Sequence, residues 1–251
     1  MKICVQLTDA CLENNERVLP YVDAVAFRNI KTVFQTDKEK IFHTSGFVDD
    51  VSLELIQNNS FYNFLKLNSI KHISFDLGPS CERYSMEKGY WTPLSKTLDA
   101  YDFESIALKR LKTIKKHYDG VIALENLDYH KGGAYESVCE PNFIKRLINK
   151  FDVNFAMDIA HARVSASNLN IDFYEYIHRL PLKKITDIHI NHPGYFNYEM
   201  QDLHDLPTEE DYKILDYIID ISKPSYITIE YNEDINKLIK AILSLRKKLD
   251  L

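Results

Sequence analysis

The chain has 251 residues, with 31 Lys and Arg against 37 Asp and Glu, a formal net charge of -6 at pH 7. One domain of this length is ordinary for an α/β barrel, and the acidic balance argues against a protein that lives on nucleic acid, since phosphate binding wants a basic face. The four cysteines form no CxxC pair, nothing in MKICVQLTDACLE resembles a signal peptide, and no apolar run approaches the ~20 residues of a membrane span, so the expectation is a soluble cytoplasmic protein with reduced thiols.

In chain order, KICVQL (2–7) and VDAVAF (22–27) read as strands, and KIFH (40–43) follows as a third with no convincing helix before it. HISFD (72–76) is the fourth strand, FESIALKRLKTIKKHY (103–118) a helix, and VIALE (121–125) the fifth strand. The helix EPNFIKRLINKF (140–151), the strand NFAMD (154–158), the helix IDFYEYIHRL (171–180) and the strand ITDIHI (185–190) come next. EEDYKILDYIIDI (209–221), the strand YITIE (226–230) and the helix INKLIKAILSLRKKL (235–249) complete the chain. Parallel strands need helical crossovers, and eight strands close a sheet, so the pattern predicts a single (β/α)8 TIM barrel over residues 1–251.

The strands carry a second signal. Bulky Ile122 and Leu124 alternate with Ala123 and Glu125, Phe155 and Met157 with Ala156 and Asp158, and Ile188 and Ile190 with Asp187 and His189. Ile227 and Ile229 likewise alternate with Thr228 and Glu230. Successive side chains point to opposite faces of a strand, so the bulky set faces the helices and the polar set the barrel interior. In each case the last inward position is an acid or a histidine at the strand's C-terminal end, where barrel active sites form.

Nine candidate ligands follow: His43, Asp76, Glu125, Asp158, His161, His189, Asp202, His204 and Glu230. A single strand-end carboxylate more often caps the next helix, but nine such groups at one mouth need positive charge between them, because burying them unpaired costs several kcal/mol apiece. Two or three metal ions answer that need, and a mixed carboxylate and imidazole set suits iron, manganese or zinc. Asp187 reads as a residue orienting a neighbouring histidine. His192 reads equally as a ligand, a base contacting substrate or a loop residue; with Asp187 it makes the pair of catalytic candidates. His72, His117, His130 and His178 read as surface or core. The stretch GYF before QDLHDLP reads as a loop crossing the barrel mouth, with Tyr195, Phe196 and Tyr198 either walling a pocket or packing as loop residues.

The order Glu125, Asp158-x-x-His161, His189, Asp202-x-His204, Glu230 resembles the ligand order of endonuclease IV in the xylose-isomerase-like barrel superfamily. Between about residues 40 and 235 the chain is more similar to the multinuclear non-heme iron-dependent oxidases that modify ribosomal peptides. The resemblance rests on FHTSG (42–46), ISFDLG (73–78), TPLS (92–95), ALEN (123–126), CEPNF (139–143), DIAHARVSASN (158–168), RLP (179–181), ITDIHINHPG (185–194), QDLHDLP (201–207) and YITIEYNEDI (226–235). It implies that His43, Asp76 and Glu125 hold one ion, that Glu125 bridges to a second completed by Asp158, His189 and Glu230, and that His161, Asp202 and His204 hold a third. Asp76 departs from the family, whose fourth-strand motif usually ends in histidine. The resemblance further implies iron as the cofactor and a peptide substrate modified at cysteine, which a separate recruiting protein can deliver; no nucleic acid or membrane partner is expected. The alternatives are a zinc phosphodiesterase in the manner of endonuclease IV and a sugar isomerase or epimerase of the same superfamily.

Overall fold

The apolar segments become the staves of one closed sheet. The computed structural model describes residues 1–87, 90–196 and 198–251. Its first half contains β1 (Lys2–Gln6), β2 (Ala24–Phe27), β3 (Glu39–Thr44) and β4 (His72–Asp76), followed by a hairpin of β5 (Tyr84–Glu87) and β6 (Tyr90–Pro93). The second half contains β7 (Val121–Glu125), β8 (Asn154–Asp158) and β9 (Ile185–Ile190), a second hairpin of β10 (His192–Phe196) and β11 (Glu199–Asp205), and β12 (Tyr226–Ile229). Around the barrel the order is β1, β2, β3, β4, β7, β8, β9, β12 and back to β1, with every neighbouring pair parallel. This is the (β/α)8 architecture that the alternation predicts.

Short helices α1 (Asp9–Glu13) and α2 (Asn15–Val18) join β1 to β2, and no helix lies between β2 and β3, as the sequence suggests. Then come α3 (Asp50–Gln57), α4 (Asn59–Leu67), α5 (Ala100–His117), α6 (Pro141–Phe151), α7 (Ile159–Asn168), α8 (Phe173–His178), α9 (Glu209–Ser222) and α10 (Ile235–Lys248). Capping decides where several begin. Asp99 Oδ1 accepts from the amides of Tyr101 and Asp102 at 2.9 and 2.8 Å, so α5 starts at its cap, three residues ahead of the first core residue, Phe103. No helix of the structure is long and apolar enough to cross a membrane.

The bulky phase of the strands (Ile122, Leu124, Phe155, Met157, Ile188, Ile190, Ile227, Ile229) joins the helices in the main apolar core. A second, smaller cluster of Cys4, Ala24, Ala26, Ile41 and Tyr226 fills the inside of the barrel.

One segment departs from the sequence reading. The stretch from His192 to Asp205 is not a loop across the mouth but the antiparallel hairpin β10–β11, in which Tyr195 pairs with Met200 and Phe196 with Glu199. The two strands close tightly at Gly194, where a Cβ would sit 2.4 Å from Leu203 Cδ1. Asp202 and His204 therefore ride on a strand outside the barrel.

Candidate metal centre

Six of the eight barrel strands deliver an acidic or imidazole side chain to the same rim. Glu125 and Asp158 end β7 and β8, Asp76 ends β4, His43 and His189 sit near the ends of β3 and β9, and Glu230 follows β12. Asp158 also caps α7: its Oδ1 accepts from the His161 amide at 2.6 Å. That bond starts the helix one residue after the strand and brings His161 back over the mouth.

His189 is the centre of the cluster. Its Nδ1 lies 3.0 Å from Glu230 Oε1 and 3.1 Å from the Glu125 carboxylate, while Nε2 faces Asp187 Oδ2 at 3.2 Å. His43 stands edge-on to His189, ring centroids 5.0 Å apart; its Nδ1 is 3.4 Å from Glu125 Oε2 and its Nε2 3.4 Å from Asp76 Oδ1. On the hairpin side, Asp202 Oδ2 lies 3.3 Å from His161 Nε2 and 3.2 Å from His204 Nδ1, and His204 Nε2 lies 3.1 Å from Glu230 Oε2. His204 adopts φ +50, a left-handed conformation uncommon outside glycine, though histidine enters it more readily than most residues. Its side chain is 44% exposed, against 12% or less for His43, Asp76, Glu125, His161, His189, Asp202 and Glu230, which makes it the rim member.

All nine candidate ligands thus meet at one mouth. Three groups offer one ligand atom each within 4.8 Å of one another: His43, Glu125 and His189; Glu125, Asp158 and His161; Asp158, His189 and Glu230. Asp76 stands beside the first group, reached by the other nitrogen of His43.

Burial and mutual charge set the protonation. Burial pushes the carboxyls up, Asp76 to about 6 against the pull of Arg28, Glu125 to about 7 and Asp158 to about 8. His43, buried and facing the Arg28 charge, is lowered. Burial also disfavours charge on His161, His189 and His204, but the facing carboxylates overcome it and raise all three, His204 to about 9. Glu230 goes the other way, since His189 and His204 outweigh its burial and hold it well below the ordinary range.

The donor set fits metal ions. Two ligand atoms at roughly 2.0–2.2 Å from one ion in neighbouring positions stand ~3 Å apart, the spacing seen around His189 Nδ1. Glu125 Oε2 is buried without a well-aligned hydrogen-bond donor and faces the ring nitrogens of His189 and His43 at 3.1 and 3.4 Å, an arrangement a shared cation would satisfy.

The two catalytic candidates divide. Asp187 is fully buried and touches His189, with Thr228 Oγ1 3.4 Å away; it reaches the cluster through the imidazole. His192 is not brought to the cluster: its Nδ1 lies 2.7 Å from Asp211 Oδ2, and among the described residues no hydrogen bond or ion pair joins it to the nine. Of the histidines set aside, His72 and His130 are buried and His117 and His178 exposed.

Several members of the rim escaped the sequence reading. Gln6, at the end of β1, donates to Glu230 Oε1, and Arg28, just after β2, donates to Ser45 Oγ at 3.3 Å. Ser74 Oγ lies 2.9 Å from His43 Nδ1. Asn126 brackets the Asp158 backbone with two hydrogen bonds, and its carbonyl oxygen accepts from His161 Nδ1 at 2.8 Å, which turns Nε2 toward Asp202. The signal for Asn126 is its place in ALEN; for Gln6 it is the strand-end position alone.

Fold and site together define a (β/α)8 barrel with a buried carboxylate and imidazole cluster that offers ligand atoms to metal ions. Two solved structures with this fold are the 3-keto-D-glucoside 4-epimerase YcjR from E. coli (TM-score 0.64, 15% identity, 100% of both chains covered) and endonuclease IV from Thermus thermophilus (TM-score 0.64, 12% identity, 100% of this chain and 99% of that one). A third is D-psicose 3-epimerase in the presence of D-fructose, with a TM-score of 0.61, 10% identity and 99% of both chains covered. At these identities the likeness is one of fold. Curated proteins give no match. The family model "RiPP precursor modification enzyme MbnB/TglH/ChrH" matches residues 72–248, and the chain belongs to that family of enzymes, which modify the precursors of ribosomally made peptides. The matched span contains every candidate ligand but His43.

Proposed function

We propose that this barrel is a metal-dependent oxidase that uses iron to modify a ribosomally made precursor peptide at a cysteine side chain. The observation that carries the reading is the convergence of nine carboxylate and imidazole groups on one barrel mouth in a chain of a peptide-modifying family. Two or three ions are proposed: one held by His43, Asp76 and Glu125, one by Glu125, Asp158, His189 and Glu230, and one on the rim by His161, Asp202 and His204. Bound iron would supply the redox reach to take a substrate thiolate and dioxygen at adjacent coordination positions, which zinc lacks.

The chain's own residues do the rest. Asp187 accepts from His189 Nε2 and so keeps Nδ1 turned to the mouth. The Asn126 carbonyl does the same for His161. Protons held on His161, His189 and His204 neutralise the facing carboxylates until the imidazoles are used as ligands, and then leave. Tyr195, Phe196 and Tyr198 stand exposed on the hairpin beside the mouth, and in this reading they line the approach of the peptide, delivered by a separate recruiting protein.

The test is metal analysis of protein purified without air, with Mössbauer and electron paramagnetic resonance spectra for coupled iron and oxygen uptake with a cysteine-containing precursor peptide. Iron with peptide-dependent oxygen uptake is the expected result. Zinc with cleavage of phosphodiesters, or one divalent ion with epimerisation of a sugar, overturns it.

A further inference from the structure

We infer that Asp211, Arg163 and His192 form a clamp that positions the hairpin β10–β11, and with it Asp202 and His204, against His161. The inference rests on the proposed rim ion and adds what holds its ligands in register.

The need for such a device follows from the topology. His43, Asp76, Glu125, Asp158, His189 and Glu230 stand on or beside barrel strands and are placed by the closed sheet. Asp202 and His204 are not. They stand on a two-stranded hairpin outside the barrel, and an isolated two-stranded hairpin is marginally stable in water. His204 also carries left-handed backbone, a conformation that persists where its surroundings enforce it.

Asp211 supplies the enforcement. It lies in the first turn of α9 with its side chain fully buried. Its Oδ2 accepts from the Thr208 amide at 2.8 Å and the Thr208 hydroxyl at 2.7 Å, and faces His192 Nδ1 at 2.7 Å. Its Oδ1 accepts from Arg163 Nη1, whose other terminal nitrogen meets Glu210 Oε2 at 2.8 Å. Three elements are thereby tied at one carboxylate. Arg163 belongs to α7, two residues beyond His161; His192 opens the hairpin; Thr208 follows its last strand. His192 and Asp205 are paired across the hairpin, so the clamp grips both of its ends.

A helix cap alone does not require this arrangement. Thr208 and Asp211 already form a complete capping box for α9, and Arg163 and His192 add nothing to it. What they add is a fixed distance from the hairpin to the helix that bears His161. Asn168 on the same helix gives a second attachment, donating to the Met200 carbonyl at 3.2 Å. The spacing that results is the one across the rim, 3.3 Å from His161 Nε2 to Asp202 Oδ2. The clamp also gives His192 a positioning role in place of a catalytic one.

The experiment uses two readouts on Arg163→Met, Asp211→Asn and His192→Gln, with His204→Ala as a reference. Hydrogen exchange of the metal-free protein reads the hairpin amides, and anaerobic titration with Fe(II) and with Co(II), whose visible spectrum reports coordination, reads the ions. Arg163→Met and Asp211→Asn are expected to exchange faster across residues 192–205 while the barrel strands keep their protection, and to bind the weakest ion at least tenfold less tightly with the others unchanged. His192→Gln, which keeps a hydrogen-bonding group, is expected to be milder on both counts. Unchanged hairpin exchange in the Arg163 and Asp211 variants overturns the clamp. Faster exchange with full metal binding, where His204→Ala loses an ion, overturns its positioning role. If His204→Ala itself loses no ion, the rim site falls, and exchange alone then decides whether the clamp stands. Should Asp211→Asn fail to fold, Arg163→Met and His192→Gln decide.

Discussion

Asp187 Oδ2 lies 3.2 Å from His189 Nε2, two residues back on the same strand and one layer deeper in the barrel. The contact fixes which nitrogen of the central imidazole faces the carboxylates. Asp187→Asn is nearly isosteric but takes away the charge that orients the ring. We expect metal affinity to fall about 10- to 100-fold, the usual cost of losing such a partner, and the metal-free protein to stay folded but melt lower, because a buried charge facing His189 is lost. Wild-type affinity in this variant would remove Asp187 from the site.

His204→Ala should fold normally, because the barrel draws its stability from apolar layers and not from a 44% exposed rim side chain. It should bind one ion fewer than wild type and lose most activity. Metal stoichiometry beside a thermal melt measures both, and full stoichiometry in the folded variant counts against a rim ion.

Acidity offers a third check. Asp76, Glu125 and Asp158, raised to about 6, 7 and 8, and His204, raised to about 9, all hold protons more tightly folded than unfolded. Stabilisation from such groups is present at low pH and lost as pH rises through the folded values. Glu230 is depressed, so its contribution is constant over that window. His43 and His72, held low by burial, oppose this trend only up to the ordinary histidine range, so the metal-free protein should melt at lower temperature as pH climbs from about 7 to about 9. Metal should flatten the slope, because the ions replace the protons. A melting temperature that rises over this range without metal would contradict the assignment.

Phe155→Ala provides the contrast. Phe155 is fully buried between sheet and helices, and truncating such a ring costs about 3–5 kcal/mol. Chemical denaturation should show that loss, whereas His204→Ala should show almost none.

Much of this was legible in the sequence, for reasons that can be named. VIALE, NFAMD and ITDIHI coincide with strands β7, β8 and β9 because a bulky outward phase and a small or polar inward phase leave one register open. The inward phase also led to the strand-end acids and histidines that the structure brings together. The two hairpins were not legible: β5 and β6 are four residues each and half-buried at most, with no apolar stripe to mark them. Neither Gln6 nor Arg28 is a typical metal ligand, and Gln6 is marked only by its place at the end of β1. The partner of His192 lay hidden in what reads as an ordinary amphipathic helix, 19 residues away.

The bond from Gln6 to Glu230 spans 224 residues and crosses the seam where β1 meets β12. It joins the first barrel strand to the residue that follows the last at the edge of the candidate metal centre. Closing a loop of this length costs more chain entropy than making a local contact. A chain that lacks β1 or the segment around Glu230, or one still emerging from the ribosome, lacks the finished site. Ion capture would report that the seam has closed, and ions arriving early would meet an open half-barrel with Glu230 still remote from His189.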